Sequence, residues 1–191
     1  MTLDLTHTTI SGLDVIDTLN VGTTLTIDAA SISNTALVLK AANTVTLEVT
    51  ETTTGTNWTF GLGSLAEIDL ATGVSFSVNE SALSTTLTTI LGDVGGENFN
   101  IVASGADAAI DMRFISTVTN LEAINVTDGA GNNTITTSPW DAVRLITHVS
   151  LGTGSDIVVL GNQGIATGAA SATITGFLAG NVGAYDQISS Q

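Results

Sequence analysis

Short runs of alternating polar and apolar residues recur along the whole chain about every ten residues, and this pattern limits the fold more than any other feature. Residues 24–27 read TLTI, 44–47 TVTL, 58–60 WTF, 74–78 VSFSV and 134–136 TIT, with Gly, Asn or Asp between the runs. Period-two alternation bounded by turn residues is the mark of short β-strands. Composition agrees. Thr, Gly, Ser and Asn supply 82 of the 191 residues. Thr favours strands, and the other three favour turns. The only helical pieces expected are short, at 29–33, 80–83 and 106–111.

The chain also resembles itself. VGTTLTIDAASIS (21–33) aligns with TGVSFSVNESALS (72–84) at an offset of 51, and LEAINVTDG (121–129) aligns with LAEIDLATG (65–73) at 56. AANTVTLEV (41–49), VGGENFNIV (94–102) and GTGSDIVVL (152–160) occupy equivalent places downstream. Three weak repeats of 51 to 57 residues follow, each long enough for about two turns of a solenoid. The expected fold is an all-β parallel solenoid with Gly/Asn/Asp corners, in which stacked turns bury a continuous apolar column. The alternative is a set of β-sandwich modules, for which the repeat is short.

The formal net charge is −15, from 18 acidic and 3 basic residues. Such a surface repels phosphate backbones and anionic lipid, so nucleic acid and membranes are not expected partners. Only 11% of residues are charged and 43% are hydrophobic, which argues against disorder. Cys is absent, so disulfides and thiolate metal sites are excluded, and with His7 and His148 the only histidines a histidine-rich zinc site is not expected. No apolar run is long enough to span a bilayer as a helix, and the first ten residues lack the charged and apolar regions of a Sec-type leader. The balance suits an exported or surface protein more than a cytoplasmic enzyme.

Two glycine-spaced loops carry the strongest motif. One contains Asp128, Gly129, Gly131 and Asn133; the other contains Gly152, Gly154 and Asp156. A degenerate copy contains Gly92, Gly95 and Glu97. They resemble the calcium-binding nonapeptide G-G-x-G-x-D-x-U-x of RTX proteins. Residues 117–136 are similar to repeats of RTX-type surface-layer proteins and adhesins. Residues 174–188, with Asp186 in a D-x-I ending, resemble the C-terminal pattern of such proteins. The resemblance implies Ca2+ as the cofactor and Asp128, Gly129, Gly131, Asn133, Gly152, Gly154, Asp156, Glu97 and Asp186 as candidate site residues. It divides the chain into degenerate repeats (1–115) and RTX-like calcium-binding repeats (116–191) within one continuous domain, and implies an extracellular location reached by type I secretion. Glycines allow a tight turn whose carbonyls point inward, while the carboxylate adds the charged ligand. The same glycine and asparagine signals also mark metal-free corners.

Other residues carry weaker signals. Asp17, Asp69 and Asn125, and likewise Asp28 and Asn79, occupy equivalent repeat positions and read as turn ladders capping backbone N–H groups. Repeated Thr-x-Thr pairs suggest ice binding, but their spacing is uneven. Asp107 and Asp111 would face each other across a helical turn beside Arg113, a thin basis for catalysis. Trp58 and Trp140 are potential sugar platforms or packing residues, and His148 reads as a strand histidine. The function expected is structural and non-enzymatic: a calcium-stabilised extracellular protein that self-associates into a layer or filament. A glycan-binding adhesin module is the alternative.

Overall fold

The computed structural model describes residues 2–6, 15–18, 23–27, 37–41, 45–60, 65–83, 86–137, 146–160, 171–178 and 186–190. Their strands, numbered β1–β19 in chain order, are all paired in parallel and form the expected solenoid. The first face stacks β1 (Thr2–Asp4), β3 (Thr23–Ile27), β5 (Val45–Val49), β8 (Leu65–Leu70), β10 (Thr89–Gly92) and β13 (Thr117–Thr119). The second stacks β6 (Thr53–Gly55), β9 (Ser75–Asn79), β11 (Asn98–Val102), β14 (Ala123–Thr127), β16 (Ile146–Ser150) and β18 (Ser171–Thr175). The third face has two parts. β2 (Val15–Thr18), β4 (Leu37–Ala41) and β7 (Trp58–Phe60) form one, and β12 (Ala109–Asp111), β15 (Thr134–Thr136), β17 (Ile157–Leu160) and β19 (Gln187–Ser190) form the other. A 3-10 turn, Glu80–Ala82, packs against both β7 and β12 and fills the rung between the two parts. Asn79 starts that turn by accepting a hydrogen bond from the Ser81 backbone N–H at 3.0 Å.

Alternation in sequence becomes columns in space. On the first face Leu25, Leu47, Ile68 and Ile90 stack in register inside the coil, all at most 2% exposed. On the second, Phe76, Phe99 and Ile124 form one inward column and Val78, Ile101, Val126 and Val149 another. Trp58 and Phe76 have ring centroids 5.5 Å apart, and Phe76 and Phe99 6.3 Å apart. Each fully buried side chain of this size contributes about 1.5–3 kcal/mol. Gly55 makes room for the aromatic column, since a Cβ there would lie 2.8 Å from the Trp58 ring. Outward positions carry Thr, Ser and Asn. Asn125 Nδ2 donates to Asn100 Oδ1 at 2.8 Å, and Asn100 Nδ2 donates to Ser77 Oγ at 3.2 Å.

The true period is shorter than the sequence comparison indicates. Register advances from Thr2 to Thr24 to Thr46 to Glu67 to Thr89 on the first face, and from Ser75 to Asn98 to Ala123 to Ile146 to Ser171 on the second. One turn is therefore 21 to 25 residues over these stretches, lengthening to 28 from Thr89 to Thr117 and to 30 from Ile157 to Gln187. The 51-residue match equates β3 on the first face with β9 on the second, and the 56-residue match equates β14 with β8. Each offset is two turns plus one face, because all faces share one inward–outward pattern. Residues 80–82 do form the short helical turn. The expected helix at 106–111 is instead a turn leading into β12, with Asp107 at φ 61°. Residues 29–33 lie outside the described residues. The pairs β10–β13, β11–β14 and β12–β15 run across position 116.

Candidate functional site

The two glycine loops occupy successive rungs at the corner between the second and third faces. The first joins β14 to β15 and the second joins β16 to β17. They stack with Ala130 opposite Thr153; Gly131 N–H donates to Thr153 O at 2.8 Å, and Thr153 N–H to Gly129 O at 3.3 Å. A Cβ on Gly152 would lie 1.7 Å from Gly129 O, and one on Gly154 1.8 Å from Gly131 O. Hydrogen at these positions is what lets one loop lie on the other.

A polar column runs inside this corner. Asn133 Oδ1 accepts from the Ala108 backbone N–H at 2.6 Å. Asp156 Oδ1 accepts from the Asn133 N–H, and Asp186 Oδ1 from the Asp156 N–H, both at 2.9 Å. Each side chain thus holds the backbone of the preceding rung. Asn133 and Asp156 are 0% exposed and Asp186 is 6% exposed. Asp186 is fully engaged, because its Oδ2 accepts from Leu178 N–H at 2.6 Å. Asp156 is not: its Oδ2 is buried without a hydrogen-bond donor.

Asp128 stands beside the Asp156 carboxylate. It is buried, its Oδ1 accepts from the Gly129 N–H at 2.7 Å, and its Oδ2 lies 3.5 Å from the Gly152 N–H. Burial raises its pKa from the ordinary carboxylate value, the two glycine N–H groups oppose the rise, and the neighbouring Asp156 carboxylate adds to it. Two acidic side chains therefore share one buried corner between the stacked loops. Among the described residues no three acidic or histidine side chains cluster closely enough to hold a metal by themselves. The pair fits part of a calcium shell, which takes six to eight oxygens including carbonyls and water.

Glu97 lies elsewhere, at the corner between the first and second faces. Its Oε1 accepts from the Gly73 N–H at 3.0 Å, and its Oε2 is buried without a donor. It follows the same rung-locking rule as Asn133 with one more methylene. Of the nine candidate residues, the structure brings eight to the second corner and leaves Glu97 apart.

The remaining sequence candidates sort clearly. Asp17, Asp69 and Asn125 sit on three different faces and form no common ladder. Asn79 does cap a turn, whereas Asp28 lies outside the described residues. Asp69 shares an outer surface with Glu48, Glu67 and Asp93. Its partial burial raises its pKa, and those acids raise it further, in the order Asp93, Glu48, Glu67. Thr26 and Thr46 hydroxyls hold Glu48 and Glu67 at 2.9 and 3.1 Å. Asp111 pairs with Arg113 at 2.6 Å, which lowers its pKa, and does not face Asp107 across a helix. Trp58 is wholly buried and offers no face to sugar, and Trp140 lies outside the described residues. His148 is exposed on β16. Sequence reasoning missed an outer ladder in which Asn132 N–H donates to Asp107 Oδ1 and Ser155 N–H to Asn132 Oδ1, each at 2.9 Å. Its signal is polar residues spaced by one turn.

No protein family, curated protein or solved structure matches the chain.

Proposed function

We propose that this chain is an extracellular structural protein, a calcium-stabilised acidic solenoid that self-associates into a layer or filament on a bacterial surface. The observation that carries the reading is the buried Asp156 Oδ2, without a donor and beside the Asp128 carboxylate, between two stacked glycine loops. Leaving a buried acceptor unpaired costs about 1–3 kcal/mol, more when it is charged. A cation offsets that cost. Asp128 and Asp156 would hold calcium, with loop carbonyls and water completing the shell. Calcium there would supply positive charge to the corner and tie one rung to the next. The side-chain chemistry is hard and anionic, which suits Ca2+ better than softer metals. Extracellular calcium near millimolar concentration would fill even weak sites.

The test is thermal unfolding in chelator and in calcium. Calcium should raise the melting temperature, and Asp156→Ala should lose that response while Asp17→Ala, exposed on β2, should keep it. Identical curves with and without calcium would remove the metal from this reading.

A further inference from the structure

Asp128 precedes Gly129, and nowhere else in the chain does Asp or Asn precede Gly. A glycine leaves its own peptide nitrogen unshielded, because it carries no Cβ. The fold turns that nitrogen toward the carboxyl group beside it. Gly129 N–H donates to Asp128 Oδ1 at 2.7 Å, and among the described residues that side chain is its acceptor. Asp4, Asn79 and Asp111 use their side chains differently. Each accepts from the N–H two residues on, at 2.9, 3.0 and 3.0 Å. That is the ordinary turn-capping bond, and the nitrogen next to the side chain takes no part in it. The neighbouring rung holds the Asp128–Gly129 peptide in this posture. Asp128 N–H donates to Ser150 O at 2.9 Å, and Gly129 O accepts from Thr153 N–H at 3.3 Å. Asp128 Oδ2 lies 3.5 Å from the Gly152 N–H, and the residue is only 8% exposed.

We propose that the Asp128 side chain closes on the Gly129 nitrogen, making an intrachain succinimide at this position of the folded protein. The step balances within the chain. From the carboxylic acid form, a bond forms between Gly129 N and Asp128 Cγ, and the Cγ–Oδ1 bond breaks. Oδ1 leaves as water, carrying the carboxyl proton and the Gly129 amide proton, which already points at it across the 2.7 Å hydrogen bond. Oδ2 stays as the ring carbonyl, and the Gly152 N–H is placed to hold the negative charge that develops on it. The fold supplies by orientation what a free chain must find by search. Burial then slows the return of water to the imide, and where water does open it, isoaspartate is the mark left behind. Neither calcium nor self-association enters the step, so it stands apart from the function proposed above. It bears on that function all the same, because ring closure consumes the Asp128 carboxylate of the acidic pair.

The experiment incubates the full, folded chain in chelator, so that no cation covers the carboxylate, beside the same chain unfolded in urea. Intact mass and peptide mapping read the imide, lighter by one water, together with isoaspartate at residue 128. Hydroxylamine, which attacks the imide and cuts the chain after residue 128, confirms the assignment. The folded chain should accumulate these products about tenfold faster than the unfolded chain, a barrier lower by about 1.4 kcal/mol. Gly129→Ala should slow the folded reaction by a similar factor. The loop can accept that change, since beyond its chain neighbours the new Cβ would meet nothing nearer than 3.9 Å. Asp128→Asn should react faster through the same imide, losing ammonia in place of water. Asp128→Glu, which would need a larger ring, should not react, and it replaces Gly129→Ala if melting curves show that variant unfolded. No product at residue 128 in either the folded wild type or folded Asp128→Asn would overturn the inference. Equal rates folded and unfolded would also overturn it, by assigning the reaction to the dipeptide rather than to the fold. So would an unchanged rate in folded Gly129→Ala.

Discussion

Asp156→Asn separates a cation site from a structural carboxylate, because it removes the charge while keeping the shape. The amide oxygen still accepts from the Asn133 N–H, the bond that Asp156 Oδ1 makes at 2.9 Å. The new NH2 takes the place of Oδ2, which has no donor, and faces the Asp128 carboxylate. In chelator the variant loses an unpaired buried acceptor and a like-charge contact. A gain of about 1–3 kcal/mol is expected from the first alone. For a chain of this length that is a rise of about 2 to 12 °C in melting temperature. In calcium the order changes. At ten to one hundred times the dissociation constant, calcium stabilises the wild type by about 1.4–2.7 kcal/mol. The variant should show little of this, so the gap closes or reverses. The assay is differential scanning calorimetry of both proteins at neutral pH, in chelator and across a calcium titration. An equal calcium response in both would refute the site. A variant less stable than wild type in chelator would show that Oδ2 costs nothing where it lies.

Two further outcomes are expected. Gly154→Ala puts a Cβ 1.8 Å from Gly131 O at φ 149° and should cost more than about 3 kcal/mol in urea unfolding, whereas Gly95→Ala, at φ 76° with nothing within 4 Å, should cost only about 1–2 kcal/mol; equal losses would mean that the loops are not stacked. Asp69, whose pKa is raised in the fold, holds its proton more tightly folded than unfolded, so its contribution is full below the ordinary value of 3.8 and is lost as pH rises through the raised one. In chelator at low salt the melting temperature should therefore fall as pH rises from about 4, and Asp69→Asn should flatten that slope and stabilise the neutral protein by about a few tenths of a kcal/mol, a partly exposed site being screened; an unchanged slope would rule out repulsion from Asp93, Glu48 and Glu67.

The fold was legible because burial alternates residue by residue. Runs such as NFNIV in β11 alternate between half-buried and buried positions, and the turn residues fall between them. The register was not legible from the same signal. Thr-Leu-Thr-Ile (24–27) in β3 and Ser-Phe-Ser-Val (75–78) in β9 sit on different faces yet obey one pattern, so matching them misassigns the face. Only pairing resolves it, as Leu25 over Leu47 and Phe76 over Phe99 do. The site was legible in part. Glycines 152 and 154 announced a close approach, and Asp156 stood at the charged position. Burial was not visible: nothing local tells that Asp186, 30 residues from Asp156, folds under the next rung to accept its N–H. Nor does sequence show that Glu97, two residues after Gly95 as Asp156 is after Gly154, turns a different corner.

The inner column itself explains why the charge at Asp156 calls for a partner. Asn133 and Asp156 do the same structural task, each accepting the backbone N–H of the rung before it. One does it with a neutral amide, so the hydrogen bond that locks the rungs needs no charge. Asp186 is ionisable too, but its second oxygen finds the Leu178 N–H, so both acceptors are used. Asp156 alone in this column has an acceptor to spare, and that acceptor is 0% exposed beside a second carboxylate. An amide there would lock the rung equally well at lower electrostatic cost. What an amide lacks is the negative charge that strengthens a hard cation's binding. The excess of negative charge over structural need, at the point where two glycine loops stack, is therefore the feature on which the proposed calcium site rests.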